Sequence, residues 1–265
     1  MYILLRVKIM FVEQRREKIL NLLSENYIVT VAELADKFGV SLATIRTDLN
    51  RLDQEGKITR THGGAVLKQE KVSRNVDHSY QIRATLNIEE KHQIAENAIK
   101  YLKDGQCIFF DASSTCYELA KVLFESSLRI TCITNGLEAA ILLKENPRIT
   151  VLIVGGMVRG SSNAVEGLMG IDMLKNFNID IFFLGSSGIS LINGITDFNI
   201  YEMELKQRVI EMTDKVIALM DYTKFDTSSN IRLVNLEDVD LIITNKALPQ
   251  AAAKKYQKVC NLIMV

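Results

Sequence analysis

The chain has 265 residues, 48% of them apolar, and its 32 basic side chains balance 32 acidic ones. That length allows two domains with a sizeable buried core, and the composition excludes a disordered chain. Zero net charge excludes a histone-like coat on nucleic acid, yet leaves room for a local DNA-reading surface.

The first eleven residues, MYILLRVKIMF, are apolar with two basic positions. They are too short for a secretion signal and lack a small-residue cleavage site. Organised sequence begins at Val12–Glu13, so Met10 is the expected translation start. Residues 14–24 place Ile19, Leu20, Leu22 and Leu23 on one face of a short amphipathic helix. Thr30 with Glu33 forms a capping box that opens a second helix, VAELADKF, and Gly39 supplies the left-handed residue that ends it. Ser41 caps a third helix, SLATIRTDLNRL, in which Ile45, Leu49 and Leu52 face inward. Asp48 is expected to fix a neighbouring basic side chain or cap a backbone group.

Two helices across a short glycine turn, the second with an outer face rich in Arg, Thr and Asn, make a helix-turn-helix. Ile58, Arg60 and His62 then alternate as a strand, His62-Gly63-Gly64 reads as a tight turn, and Ala65-Val66 returns. This hairpin is the expected wing. The predicted DNA contacts are Ser41, Thr44, Arg46, Thr47, Asn50 and Arg51 on the helix, with Arg60 and His62 on the wing. Arg51 has an alternative use, a surface ion pair to Asp48 or Glu55, and a winged helix can also serve as a protein-binding module. Residues 12–67 are thus the first domain, and the polar, aperiodic stretch 68–87 reads as a linker with at most one helical turn near Tyr80–Arg83.

From 88 to 265, short apolar runs at 107–111, 130–134, 150–154, 180–185, 216–221 and 241–244 alternate with amphipathic stretches. The pattern predicts an α/β domain with a mostly parallel sheet covered on both faces. Ligands of such sheets bind at the carboxyl ends of the strands. Five of those ends carry small, polar or charged residues: Asp111 to Thr115, Thr134-Asn135, Gly155-Gly156 with Arg159, Gly185 to Gly188, and Asp221 to Lys224. Turns favour such residues on their own, so it is the recurrence that points to a pocket. A helix opening at Thr115 aims unpaired N–H groups at an anion. Ser113 and Ser114 allow close backbone approach, Arg159, Lys206 and Lys224 are candidate cations, and Asp111 and Glu202 suit sugar hydroxyls.

Four cysteines without a C-x-x-C pair and three histidines give no disulfide framework and no zinc set. The expectation is a reduced, cytoplasmic protein without metal or cofactor. No apolar run approaches the ~20 residues of a membrane span. No P-loop, dinucleotide fingerprint, nucleophile elbow or zinc-protease motif is present.

These residues together resemble the DeoR family of bacterial regulators. Arg15, Ile19, Leu23 and the run Ser41-x-x-Thr44-Ile45-Arg46-Thr47-Asp48-Leu49 are similar to its recognition segment, and Arg60-x-His62-Gly63-Gly64-Ala65 to its wing. Thr47 departs from the commoner basic residue. Glu90-Lys91, Phe110 to Thr115, Thr134-Asn135, Gly155-Gly156, Gly194-Ile195-Thr196, Glu202-x-x-x-Lys206 and Asp221 to Phe225 look like motifs of its second domain, and Ser113-Ser114 is a mild departure. The resemblance adds Thr196 to the expected site. It implies a ribose-5-phosphate isomerase-like fold, a phosphorylated sugar or similar effector, double-stranded operator DNA as partner, and a homo-oligomer, dimer or tetramer, repressing a sugar-catabolism operon. It also raises a rival, an active isomerase. Such isomerases carry acids in the run that is Gly185-Ser186-Ser187-Gly188 here, which has none, so binding without turnover is expected. Effector would act by population shift, coupled through the linker and the helix at 88–103.

Overall fold

The structure is a computed structural model describing residues 12–26, 28–61, 63–67, 80–159 and 162–265. The expected start at Met10, the wing residue His62 and linker positions 68–79 lie outside the described residues. Two compact units divide between Val76 and Asp77.

The first unit contains helices α1 (Val12–Asn26), α2 (Val31–Phe38) and α3 (Leu42–Gln54), with short strands β1 (Ile28–Thr30), β2 (Ile58–Arg60) and β3 (Gly64–Leu67). Its helix boundaries follow from local chemistry. Thr30 Oγ1 accepts from Glu33 N while the Glu33 carboxylate accepts from Thr30 N. Gly39 ends α2 at φ 64°, where a Cβ is strained. Ser41 Oγ accepts from Thr44 N at 3.1 Å and opens α3. Ile19, Leu23, Leu34, Ile45, Leu49, Leu52 and Ile58 fill the core.

The wing is a three-stranded antiparallel sheet, order β1-β3-β2. The three residues of β1 were too few to show in the sequence pattern. They explain Gly64: a Cβ there would lie 1.9 Å from the Val29 carbonyl oxygen across the pair. Asp48 is buried within α3 and is clamped by Arg15 and by Arg16, the latter at 3.0 Å. One carboxylate thereby ties α1 to the recognition helix.

The second unit begins with α4 (Tyr80–Thr85) and α5 (Ile88–Ala98), then runs β4 (Cys107–Phe110), α6 (Ser114–Phe124), β5 (Ile130–Thr134), α7 (Leu137–Leu143), β6 (Ile149–Ile153), α8 (Ile171–Leu174) and β7 (Ile181–Leu184). It continues through β8 (Gly188–Ser190), β9 (Gly194–Asp197), α9 (Ile200–Glu211), β10 (Val216–Leu219), β11 (Ile231–Val234), β12 (Leu241–Thr244), α10 (Gln250–Tyr256) and β13 (Leu262–Met264). Residues 80–85, read from sequence as linker, are a helix of this unit, because Tyr80 and Ile82 bury into it and Tyr80 Oη donates to Glu138 Oε2.

The main sheet has order β13-β12-β10-β7-β4-β5-β6, and every pairing in it is parallel. Both faces are covered, so the central strands β4, β7 and β10 are continuous apolar runs. Phe109 packs edge-on to Phe182 on one face, and Phe110 to Phe183 on the other. Helices α5, α6 and α7 cover one face. The other is covered by α9, α10 and a small antiparallel sheet, order β11-β9-β8, which the sequence reading missed. From β4 the chain steps outward to β5 and β6, then returns to β7 on the other side of β4. The crevice between the carboxyl ends of β4 and β7 is therefore the topological switch point.

Asp48→Ala strands two guanidinium groups, one of them buried. Breaking a buried pair this way costs ~3–5 kcal/mol, and the partial exposure of Arg16 favours the lower end. We expect a lower urea midpoint for the first unit, followed by circular dichroism; an unchanged midpoint contradicts the clamp.

Candidate functional site

The switch-point cleft is organised by one buried lysine. Lys206 lies on the inward face of α9 with Met203, Leu205 and Val209, and only 2% of it is exposed. A lysine on such a face must find counter-charges. Its Nζ is 3.0 Å from Asp111 Oδ2 and 2.8 Å from Asp197 Oδ2, and it donates to the Gly185 carbonyl at 2.9 Å. Asp111 also accepts from Gly185 N at 2.8 Å and from Ser113 N at 3.0 Å. The ends of β4, β7 and β9 are thus pinned to α9 through a single ammonium.

Electrostatics follow from this arrangement. Burial alone would lower the Lys206 pKa, but the charges of Asp111, Asp197 and Glu202 reverse that and hold the ammonium well above its ordinary value. Burial would raise Asp197, yet Lys206, Ser187 and the Phe198 N–H outweigh it and leave the carboxyl below its usual range. Glu202 differs: its burial raises the pKa, against the lowering effect of Lys206. Its Oε1 accepts from Asn199 Nδ2.

Asp111, Ser113, Ser114, Thr115, Gly185, Glu202, Lys206 and Lys224 come together as the sequence predicted. Ser113 caps α6, accepting from Cys116 N, and leaves the helix N-terminus turned toward the cleft. Gly185 is required here, since a Cβ would lie 2.2 Å from Ser113 Oγ. Lys224 closes a short helical turn capped by Asp221 and carries no ion pair among the described residues.

Other predicted residues have structural partners. Thr134 Oγ1 donates to the Phe110 carbonyl and accepts from Gly136 N, while Asn135 Nδ2 donates to the Val165 carbonyl. Gly156 packs where a Cβ would meet the Glu166 carbonyl oxygen at 2.3 Å, and Gly155 sits against Gly170. Arg159 pairs with Glu166 at 2.6 Å and stacks over Tyr201. Glu166 in turn accepts from Asn199, so these residues support Glu202 from behind. Thr196 Oγ1 donates to the Gly188 carbonyl and accepts from Ser229 N. Asp221 accepts from Thr223 and Asn87. Sequence reasoning missed Asp197, Phe198 and Arg83, all of which line the cleft. A lysine on a buried helix face was a signal that one counter-ion would not suffice.

On α3, Ser41 and Thr44 join hydroxyls at 2.9 Å, and Thr47 Oγ1 returns to the Ala43 carbonyl. Arg51 pairs with Glu55 at 2.9 Å, and Arg60 donates to the Gly64 carbonyl. Arg46 and Asn50 are exposed and have no side-chain partner among the described residues.

Residues 15–71 match the DeoR-like helix-turn-helix domain, and residues 86–246 match the DeoR C terminal sensor domain. The chain belongs to the DeoR family. Relatives of this DeoR protein include the HTH-type transcriptional regulator GolR of Listeria innocua, 43% identical over 94% of this chain and 96% of that one. The glycerol-3-phosphate regulon repressor of Escherichia coli is 30% identical over 89% of this chain and 92% of its own length. A D-ribose-5-phosphate isomerase in complex with phospho-erythronic acid is 18% identical over 52% of this chain and 53% of that one, with a TM-score of 0.39. At that distance the likeness carries no functional weight. No helix among the described residues is long and apolar enough to cross a membrane.

Two outcomes test this DeoR cleft. Gly185→Ala drives a methyl group into Ser113, so it is expected to close the cleft and abolish any ligand-induced thermal shift; a normal shift contradicts the packing. Glu202 holds its proton in the folded protein above the ordinary value of 4.5 at which the unfolded chain releases it. Its contribution to stability is complete below that value and is lost as pH rises through the raised folded pKa. Wild type should therefore lose stability relative to Glu202→Gln as pH rises from that value toward neutrality, measured by thermal melts. A pH-independent difference contradicts the burial.

Proposed function

We propose that this DeoR-family chain is a DNA-binding repressor of a sugar or carbohydrate catabolism operon, controlled by a phosphorylated sugar or related metabolite in the switch-point cleft. The observation that carries the reading is the outer face of α3, where Arg46 and Asn50 are presented to solvent without partners. Arginine suits the paired acceptors of guanine in the major groove, and asparagine the edge of adenine. Ser41, Thr44, Thr47 and Arg51 flank them, and Arg60 and His62 of the wing would reach the DNA backbone or the minor groove. The relatives named as repressors, including that of the glycerol-3-phosphate regulon, support the same reading.

In the cleft, the α6 N-terminus and Lys224 suit an anionic group, and Glu202 suits hydroxyls. The cleft binds and does not turn over. Asp111 and Asp197 are both engaged by Lys206, and the run 185–188 after β7 carries no acid. The protein acts in the cytoplasm as a homo-oligomer, dimer or tetramer. Linker positions 68–79 and α4 carry effector occupancy to the DNA-binding unit by population shift.

A mobility-shift assay on DNA upstream of the gene, titrated with sugar phosphates, tests the reading. Wild type should prefer one fragment over random duplex and respond to at least one sugar phosphate. Arg46→Ala should lose ~1–3 kcal/mol of that discrimination. Equal binding of all duplexes, or release of C2-deuterated product from a sugar phosphate in heavy water, contradicts it.

A further inference from the structure

The outer face of α3 is less polar than its residue types suggest. Ile45, Asp48, Leu49 and Leu52 form the buried face of the helix, and Ala43, Arg46, Thr47 and Asn50 are exposed on the other. Ala43, Thr47 and Asn50 recur at i, i+4 and i+7, so they run along the middle of that outer face. Asp48, the neighbour of Thr47, fixes the rotation of the helix about its axis, because Arg15 and Arg16 hold it from behind.

The hydroxyl of Thr47 is turned back on its own helix. Thr47 Oγ1 donates to the Ala43 carbonyl at 3.0 Å. An exposed threonine whose one polar side-chain atom is bound to the preceding turn presents its methyl group to whatever approaches. The presentation is rigid, since a β-branched side chain with Oγ1 held in place has its Cγ2 position set as well. Ala43, one turn earlier, adds a second exposed methyl in the same line. The middle of the recognising face is therefore apolar, with Arg46 and Asn50 beside it.

We propose that Thr47 reads thymine through its methyl group. The inference rests on the reading of α3 as the helix that enters the major groove, and assigns it a base that its hydrogen-bonding side chains do not select. Of the base edges in that groove, thymine alone carries a C5-methyl, and an apolar contact is what recognises it. The N-terminal part of a recognition helix is the part that meets base edges, and Thr47 lies in that half of α3. The base pair read lies beside those addressed by Arg46 and Asn50. A free threonine hydroxyl would serve donor and acceptor edges alike and discriminate little. Its bond to the Ala43 carbonyl is what makes Thr47 selective.

The test uses the full chain and the promoter fragment that wild type prefers over random duplex. Each thymine of that fragment is replaced in turn by deoxyuridine, which keeps the hydrogen-bonding edge and lacks the methyl, and affinity is read by fluorescence anisotropy. Wild type should lose about three- to fivefold at one or more thymine positions, the factor for removing one methyl from an apolar contact. Thr47→Val keeps the methyl and deletes the hydroxyl, so it should bind the unmodified fragment as wild type does and show the same losses. Thr47→Ser keeps the hydroxyl and deletes the methyl. It should bind the unmodified fragment more weakly by the same factor and be indifferent to deoxyuridine at one of those positions. Should Thr47→Ser fail to fold by circular dichroism, Thr47→Ala, which also lacks that methyl, decides in its place. A wild type indifferent to every deoxyuridine overturns the proposal. So does a Thr47→Ser protein that keeps every deoxyuridine loss, or a folded Thr47→Val protein as weak as Thr47→Ser. In those cases the preference for the fragment persists and the reading of the chain as a DNA-binding regulator stands. A wild type that prefers no fragment overturns both.

Discussion

The switch-point cleft of the second unit is organised around Lys206. Its ammonium is shared by Asp111 at the end of β4, Asp197 at the end of β9 and the carbonyl of Gly185 after β7. A buried charge is tolerated only when paired and hydrogen-bonded, and here each partner comes from a different strand end. The triad therefore fixes the switch-point crevice geometrically: β4 and β7 cannot separate, nor α9 lift, without exposing or orphaning a charge. The same arrangement pairs two of the three carboxylates with one ammonium. Glu202 stands outside that pairing, and burial raises its pKa above the ordinary carboxylate value.

The first unit uses the same device at smaller scale. Asp48 sits on the recognition helix yet points inward, clamped by Arg15 and Arg16 of α1. Its burial frees the opposite side of α3 for Arg46 and Asn50. In each unit, then, a buried ion cluster sets the orientation of a helix, α3 in the first and α9 in the second.

Much of this was legible in the sequence, and for identifiable reasons. Thr30, Glu33, Gly39 and Ser41 are local signals, decided within one helical turn, and each boundary they mark is where the structure has it. The runs that became β4, β5, β7, β10 and β12 are buried on both faces, so their apolarity is nearly continuous and visible, while the edge strand β6 is half exposed and shows by its β-branched residues. Strands β8, β9 and β11, of three or four residues, are too short to carry a period, and they pair only through tertiary contacts. Tyr80–Thr85 looked like linker because its polar neighbours hid two buried side chains. In the site, Asp111, Glu202, Lys206 and Lys224 were visible from their places at strand ends and on helices. Their partnerships were not. Nothing local separates Lys206, consumed by an ion triad, from Lys224, or shows that Arg159 belongs to Glu166. Asp197 and Arg83 were missed because each is brought to the cleft by an element whose existence or packing the pattern did not reveal.

The central claim is that Asp111 and Lys206 act as one buried unit. A double-mutant cycle of Asp111→Asn and Lys206→Met, with stability measured by urea denaturation, tests it most directly. The two changes should be strongly coupled, the double variant being less destabilised than the sum of the singles by ~1.5–3 kcal/mol. Additivity within ~0.5 kcal/mol would contradict the claim.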